Sequence, residues 1–321
     1  MADIVDTIQR ESSISFPFLG DWSINPPAYI TLFGRQIYMY GIVIAFGFLL
    51  AILWCSRNSK RFNLTEDNFY DAVIWTVPLG ILGARLYYVL FTLDYYVANP
   101  SKILAIWEGG LAIYGGIIAG ALTIFIVCRI KKINPLAMLD LMIMGALIGQ
   151  ILGRWGNFFN REAFGAQTDI FCRMGLTAPN GTTIYVHPTF LYESLWNLAV
   201  FLILRRFIKK GKRKFDGQII LMYCVGYGLG RIWIEGLRTD SLYIGSSGIR
   251  VSQVLSGVLV IFGVIMLILG SKKAEKTALT AEGEAPGENA EDEAPAEGAD
   301  EGSIEAQESG DESKPETEEQ E

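Results

Sequence analysis

The sequence predicts an all-α, polytopic membrane protein with about seven transmembrane helices, its N-terminus outside and its C-terminus in the cytoplasm. Three observations carry that prediction. Apolar residues make up 51% of the chain, they fall into seven long runs, and basic residues gather in alternate connections between the runs. A bilayer core takes about 20 apolar residues to cross as a helix. Helices also satisfy their backbone polar groups internally, which lipid cannot do for them.

Residues 1–36 precede the first run. The first 12 are acidic and polar, and no apolar region with a small-residue cleavage site comes before Arg35, so no removable signal peptide is expected. Residues 13–33 carry Phe16, Phe18, Trp22, Pro26, Pro27 and Tyr29 and read as an external segment lying in the interface, where aromatic rings favour the headgroup level.

The apolar runs cover 37–54, 70–91, 110–128, 136–153, 188–204, 217–235 and 251–270, within a membrane domain spanning 37–273. The second contains Asp71, Pro78 and Arg85, and the third opens on Gly109, Gly110, Gly115 and Gly116, so both are expected to be irregular or partly re-entrant. The Gly116-to-Gly120 spacing suits a close helix crossing. There is no internal repeat of the kind on which inverted-half transporters are built.

Arg57, Lys60 and Arg61 follow the first run, and Arg129, Lys131 and Lys132 the third. Seven basic residues between Arg205 and Lys214 follow the fifth, and Lys272 and Lys273 the seventh. All four groups fall on one side, which the positive-inside rule makes cytoplasmic. The formal net charge of -7 conceals two opposed parts. Beyond Lys273 lie 18 acidic residues against Lys276 and Lys314, so the body is basic. Residues 274–321, rich in Ala, Glu, Gly and Pro, cannot bury enough apolar surface to fold and are expected to be a disordered acidic cytoplasmic tail.

Cys55, Cys128 and Cys224 lie in or beside apolar runs and Cys172 in a polar loop, which predicts no disulfide. A single His and no CxxC leave no plausible metal-ligand cluster, so chemistry without metal or other cofactor is expected, and no nucleic-acid partner.

Functional density peaks at Gly153–Gly165, GRWGNFFNREAFG, directly after an apolar run. Charge at the edge of a bilayer is costly unless the groups pair with each other or with charged lipid. Arg154 and Arg231 stand at the external ends of the fourth and sixth runs, and Arg85 lies inside the second. A guanidinium offers a planar fork matched to phosphate oxygens, so an anionic substrate is implied. Glu235, four residues after Arg231, shares its helix face, as a self-satisfied pair or as part of the site, and Arg238 extends that face. Asn157, Asn160 and Glu162 either orient Arg154 or hydrogen-bond a glycerol headgroup. His187 and Pro188 read as a helix start. Glu193 lies in an apolar run and requires a partner, for which an Arg of another span is the candidate.

These residues resemble the bacterial prolipoprotein diacylglyceryl transferases, together with Met39-Tyr40-Gly41, Gly109-Gly110-Leu111, Gly115-Gly116, and His187-Pro188 with Leu191-Tyr192-Glu193. The resemblance runs from about Tyr40 to about Gly270. It implies a transferase of the bacterial plasma membrane, its active site towards the outer face. Such an enzyme moves the sn-1,2-diacylglyceryl group of phosphatidylglycerol to the lipobox cysteine of a prolipoprotein and releases glycerol phosphate. Carried over one position at a time, Tyr40, Arg154, Asn157, Glu162, Gly165 and Glu235 match substrate-binding positions, to which Asn160 is added, and Arg154 and Arg231 become catalytic.

Tyr114 stands where many members have a His proposed as the base, and Phe190 where they commonly have Gln. A phenol of pKa about 10 is a poor base near pH 7. Tyr114 is therefore an activated base, a hydrogen-bond donor to phosphate beside arginines that create the thiolate, or the mark of an impaired copy; the second reading is preferred. The competing classes are a transporter or channel for an anionic amphiphile, which would release its cargo unchanged, and a headgroup transferase, for which no metal motif is present.

Overall fold

A computed structural model describes residues 12–20, 22–239, 241–243 and 248–283. The expectations for the first 11 residues and for 284–321 lie outside the described residues. Seven long helices correspond to the seven runs: α1 (Met39–Asn58), α2 (Glu66–Phe91), α4 (Ile113–Lys131), α5 (Pro135–Asn160), α6 (Thr189–Lys209), α7 (Gln218–Leu237) and α8 (Val251–Gly283), with a short α3 (Leu93–Ala98) between the second and third. Five of them, α1, α2, α4, α5 and α8, are long and apolar enough to cross a membrane. The other two carry the polar load: α6 buries Glu193, Ser194 and Asn197, and α7 buries Gln218 and Glu235.

Local chemistry sets the helix ends. Thr65 accepts the Asn68 N–H at 3.1 Å to start α2, and Asn134 accepts that of Leu136 at 2.9 Å, with Pro135 at the first position of α5. Pro188 caps α6 one position before its first helical residue, rather than opening it. The chain divides into a unit over Met1–Leu279 and a second over Thr280–Glu321, of which residues 280–283 are described. Helix α8 runs on to Gly283, so the first residues assigned to the unfolded tail, 274–283, are helical.

The class is mostly helical rather than all-α, because residues 13–38 fold as strands. Strands β1 (Ser13–Ser15), β2 (Ser23–Ile24), β5 (Met174–Thr177) and β6 (Thr183–Val186) form an antiparallel sheet in the order β2-β1-β5-β6. Strands β3 (Tyr29–Leu32) and β4 (Arg35–Tyr38) form a hairpin whose tip, Phe33, is 97% exposed. Ile14, Leu176 and Val186 pack with Phe158, Phe164 and Phe190 into a small core that joins this sheet to the end of α5. The larger core, around Phe62, Leu141, Met144 and Leu204, joins α1, α5, α6 and α7.

Glycine governs the helix crossings. A Cβ at Gly83 would stand 2.8 Å from the Gly115 carbonyl oxygen, so α2 and α4 cross backbone to backbone there, whereas one at Gly120 would make ordinary contact with Thr76 Cγ2 at 3.5 Å, so the tight crossing lies at Gly83 and Gly115 rather than at the Gly116–Gly120 spacing. Neither helix is broken: α2 accommodates Pro78 within 26 residues. The irregularity expected there is confined to the connection 92–112, and Arg85 organises it. Buried at 2% exposure, Arg85 donates to the carbonyls of Lys102 (2.6 Å), Ile103 (2.9 Å), Gly109 (2.5 Å) and Gly110 (3.0 Å) and sits over the Tyr96 ring. Gly109 and Gly110 take φ of +87° and +69°, and a Cβ at Gly110 would lie 2.6 Å from Arg85 Nη1. Arg85 is thus the bolt of a loop, and its donors are spent on backbone rather than on a substrate.

Replacing Arg85 by Ala would leave the carbonyls of Lys102, Ile103, Gly109 and Gly110 without this donor. Charge-assisted hydrogen bonds contribute about 1.5–3 kcal/mol each, so the loss should exceed about 3 kcal/mol. Thermal unfolding in detergent should show a Tm drop of several degrees for Arg85→Ala; an unchanged Tm would contradict the bolt.

Candidate functional site

The last turn of α5 builds one side of the site. Arg161 ends the helix in the left-handed conformation at φ +51°, and Ala163 follows at φ +55°, so the chain doubles back and brings Glu162 under the helix end. There Glu162 Oε1 accepts from Asn157 Nδ2 at 3.0 Å and from Asn160 Nδ2 at 3.1 Å, while Asn157 Oδ1 accepts from Arg154 Nη1 at 3.4 Å. The three polar residues of the signature thus form one brace behind Arg154.

The unusual backbone is held by Arg161 itself, at 3% exposure. Its guanidinium donates to the carbonyls of Ser12 (2.9 Å), Phe159 (2.5 Å) and Pro26 (2.6 Å) and to Asn25 Oδ1 (2.6 Å), tying the N-terminal strands to the turn. That role was not read from the sequence.

The centre is Glu193 on α6, whose side chain is 4% exposed. Its Oε2 meets Arg154 Nη2 at 2.5 Å, and its Oε1 meets Arg231 Nη1 at 2.9 Å and Arg238 Nη1 at 3.2 Å. Arg231 Nη2 also meets Glu235 Oε2 at 2.6 Å, the expected i,i+4 pair. Arg250, at the foot of α8, donates to the Glu235 carbonyl. Among the described residues, three guanidinium groups therefore converge on two carboxylates. Like charges brought this close are stable only around such a counter-charge.

Gly165 closes the assembly. Its N–H donates to the His187 carbonyl at 2.9 Å, it bridges to Arg238, and a Cβ there would lie 2.6 Å from His187 Cβ and 2.9 Å from the Leu237 carbonyl oxygen. Its place is in packing the signature turn onto the ends of α6 and α7. His187 lies beside the Tyr192 ring, and burial pushes its pKa below the ordinary value, which keeps it neutral at pH 7. Phe190 packs edge-to-face against Trp155 at 5.5 Å and tilted against Phe158 at 5.0 Å, an apolar use of the position where the resemblance leads one to expect Gln.

Arg154 also opens into a hollow. A cavity of about 580 Å³ lies between α1, α2 and α5, with Tyr40, Gln150, Arg154 and Asn157 at one end and Phe48, Cys55 and Phe69 at the other. Gly145, Gly149 and Gly153 of α5 line it at four-residue intervals, the first and last in close contact with Cys55 and Ile44 of α1. A Cβ at Gly149 would meet no atom within 4 Å. Gly156 instead takes the Tyr40 ring, where a Cβ would lie 2.5 Å from Cδ2, and so sets Tyr40 at the polar end.

The structure therefore brings together Tyr40, Arg154, Asn157, Asn160, Glu162, Arg231 and Glu235, around a Glu193 whose partners the sequence left open. Arg231 joins Arg154 through Glu193 but does not line the cavity. Tyr114, 42% exposed in the first turn of α4, makes no hydrogen bond or ion pair among the described residues, although its neighbour Ile113 lines the cavity.

Comparison with known proteins gives a consistent picture. Residues 27–269 match the family model described as prolipoprotein diacylglyceryl transferase. Similar curated proteins include the phosphatidylglycerol--prolipoprotein diacylglyceryl transferases of Finegoldia magna (44% identical, covering 77% of this chain and 96% of the relative) and Clostridium novyi (43%, 79% and 99%). That of Clostridioides difficile is 44% identical over 76% of this chain and 94% of its own length.

Removing the central carboxylate leaves buried positive charges facing each other, a loss on the order of 3–5 kcal/mol for a broken buried pair. Glu193→Ala should lower Tm clearly more than Glu193→Gln, whose amide oxygen still accepts from one guanidinium. Equal, small shifts in both variants would show that the network does not depend on Glu193.

Proposed function

From the premise that the chain belongs to the prolipoprotein diacylglyceryl transferase family, we propose that it transfers the sn-1,2-diacylglyceryl group of phosphatidylglycerol to the lipobox cysteine of a prolipoprotein. The observation that carries this reading is Arg154, which is held by Glu193 on one side and opens on the other into an apolar cavity of about 580 Å³. A cation at the mouth of an apolar hollow matches a phospholipid, with the phosphate at Arg154 and acyl carbon between α1 and α5.

The chemistry is displacement at carbon. The cysteine sulfur attacks the glycerol carbon bonded to phosphate oxygen, the new carbon–sulfur bond replaces that carbon–oxygen bond, and glycerol phosphate leaves with the electron pair. Arg154 stabilises the charge growing on phosphate, assisted by Arg231 across the Glu193 bridge. Such preorganised stabilisation is commonly the largest catalytic contribution. The same cationic field lowers a thiol's pKa from about 8.5 and supplies the thiolate. Tyr40 and Asn157 flank the headgroup, and Asn160, Glu162, Glu235 and Gly165 keep the arginines and their turn in place. Tyr114 serves as a donor to phosphate rather than as the base.

The N-terminus and the site face outward in this reading, and the tail inward, across a bacterial plasma membrane that all seven long helices cross. It is supported by the gathering of the basic ends away from Arg154: Lys131 pairs with Asp71, and Arg213 sits over Phe62 and pairs with Asp140 at the other end of α5. A transporter of anionic amphiphiles would share the cavity but leave both substrates chemically unchanged.

The test is a two-substrate assay. Purified protein given phosphatidylglycerol and a lipobox peptide should release glycerol phosphate and add diacylglyceryl mass to the peptide; lipid movement with no product would favour the transporter. Arg154→Ala should lose at least about a hundredfold in rate. Tyr114→Phe should stay within about tenfold of the parent, short of the 10²–10⁴ expected for removing a general base. Equal loss in both would overturn the role given to Tyr114.

Chain length gives a separate check on where the acyl carbon lies. Gly149→Leu would fill the cavity without a clash at Cβ. From a mixture of donors it should shift peptide product towards short acyl chains by mass spectrometry, whereas an unchanged profile would place the chains elsewhere.

A further inference from the structure

A second large hollow lies at the end of the bundle opposite Arg154. It measures about 670 Å³ and is enclosed by the start of α5, the α6–α7 connection with the start of α7, and the distal half of α8. Leu136 lines it, and the rise of α5 places that residue about 27 Å from Arg154 along the helix.

The hollow arises from a helix crossing that closes at one end and opens at the other. Helix α8 meets α7 where glycine permits: a Cβ at Gly228 would stand 3.0 Å from the Ser256 carbonyl oxygen, and one at Gly263 3.0 Å from that of Leu221. Further along, the Phe215 ring comes against Gly270, and Cys224, Phe262 and Met266 are left lining open space.

The polar end of this space is cationic. Lys214, on the connection, and Lys273, on α8, both line it and are both exposed. Neither ammonium has an ion-pair partner among the described residues. The carboxylate in the lining, Asp216, is already engaged by Arg213 and by Asn134, each at 2.6 Å. Those contacts belong to a rigid knot in which the fully buried Asp140 accepts the N–H groups of Gly217 and Ile220, both at 2.9 Å.

An apolar hollow with two ammonium groups at its rim, supplied by different elements, matches a ligand with acyl chains and an anionic head. Basic pockets between membrane helices are a recurring form of anionic-lipid recognition. A free phosphate would leave the apolar walls wet, and a zwitterionic lipid would bring its own cation to the lysines. We propose that this hollow binds one anionic glycerophospholipid, with its phosphate between Lys214 and Lys273 and an acyl chain between α7 and α8, separate from the site at Arg154. The lipid would complete the packing of α8 where the protein leaves it open.

A native thiol reports on this hollow, since Cys224 lines it and is partly exposed. Alkylation by a small maleimide in nanodiscs, resolved by peptide mass, compares phosphatidylcholine bilayers with bilayers containing phosphatidylglycerol. The anionic lipid should slow Cys224 alkylation by tenfold or more, each lysine contributing about a factor of five. In the Lys214→Gln/Lys273→Gln variant that slowing should vanish at Cys224, while its alkylation rate in phosphatidylcholine stays that of the parent. Protection that persists in the variant, or that phosphatidylcholine gives equally, would overturn the proposal, because charge would then not choose the occupant. The readout involves no transfer, so its outcome is independent of the reaction assigned to Arg154.

Discussion

A single carboxylate holds the site together. Glu193 sits in α6, a helix whose apolarity is lowered by that residue and its polar neighbours, and it gathers Arg154 from α5 and Arg231 and Arg238 from the end of α7. Without it, guanidinium groups from two helices would repel across a space with little water to screen them. With it, they become a fixed field, and one face of Arg154 remains turned to the cavity. Each pair alone would be an ordinary structural ion pair; their sharing of one carboxylate sets the direction of the whole.

The second constraint is glycine, used in two senses. Between α2 and α4 it draws backbones together, with Gly83 and Gly115 in contact, and stiffens one wall. Along α5 both uses occur: a Cβ at Gly145 would lie 2.9 Å from Cys55 Sγ, whereas at Gly149 nothing fills the space a side chain would take, and the cavity has room there. Gly156 belongs to neither class, since it receives the Tyr40 ring. Close approach and open volume thus come from one residue, decided by whether the facing helix advances or withdraws.

Much of this was legible in the sequence. The seven long helices followed from apolar runs, and the Arg231–Glu235 pair from its spacing. The brace of Asn157, Asn160 and Glu162 followed in membership from a dense polar segment, though its shape depends on two left-handed residues, Arg161 and Ala163, that no propensity favours. Three features were not legible, for physical reasons. Strand β1 pairs with β5 more than a hundred residues away, a contact that leaves no local period, and the local β3–β4 hairpin is hidden in a segment whose aromatic residues read as interfacial. Arg85 within an apolar run and Arg154 at the end of one look alike in sequence, and only the carbonyls around the first separate a loop bolt from a site cation. Glu193 announced a missing partner but carried no information on which arginines would supply it.

The central claim is that Arg154 grips a lipid phosphate at the mouth of the α1–α5 cavity. An experimentally determined structure in a phosphatidylglycerol nanodisc tests it most directly. It should show phosphate density within hydrogen-bonding distance of the Arg154 guanidinium and a continuous acyl chain running from there towards Cys55. A well-ordered structure with that cavity empty, and lipid phosphate resolved away from both Arg154 and Arg231, would contradict it.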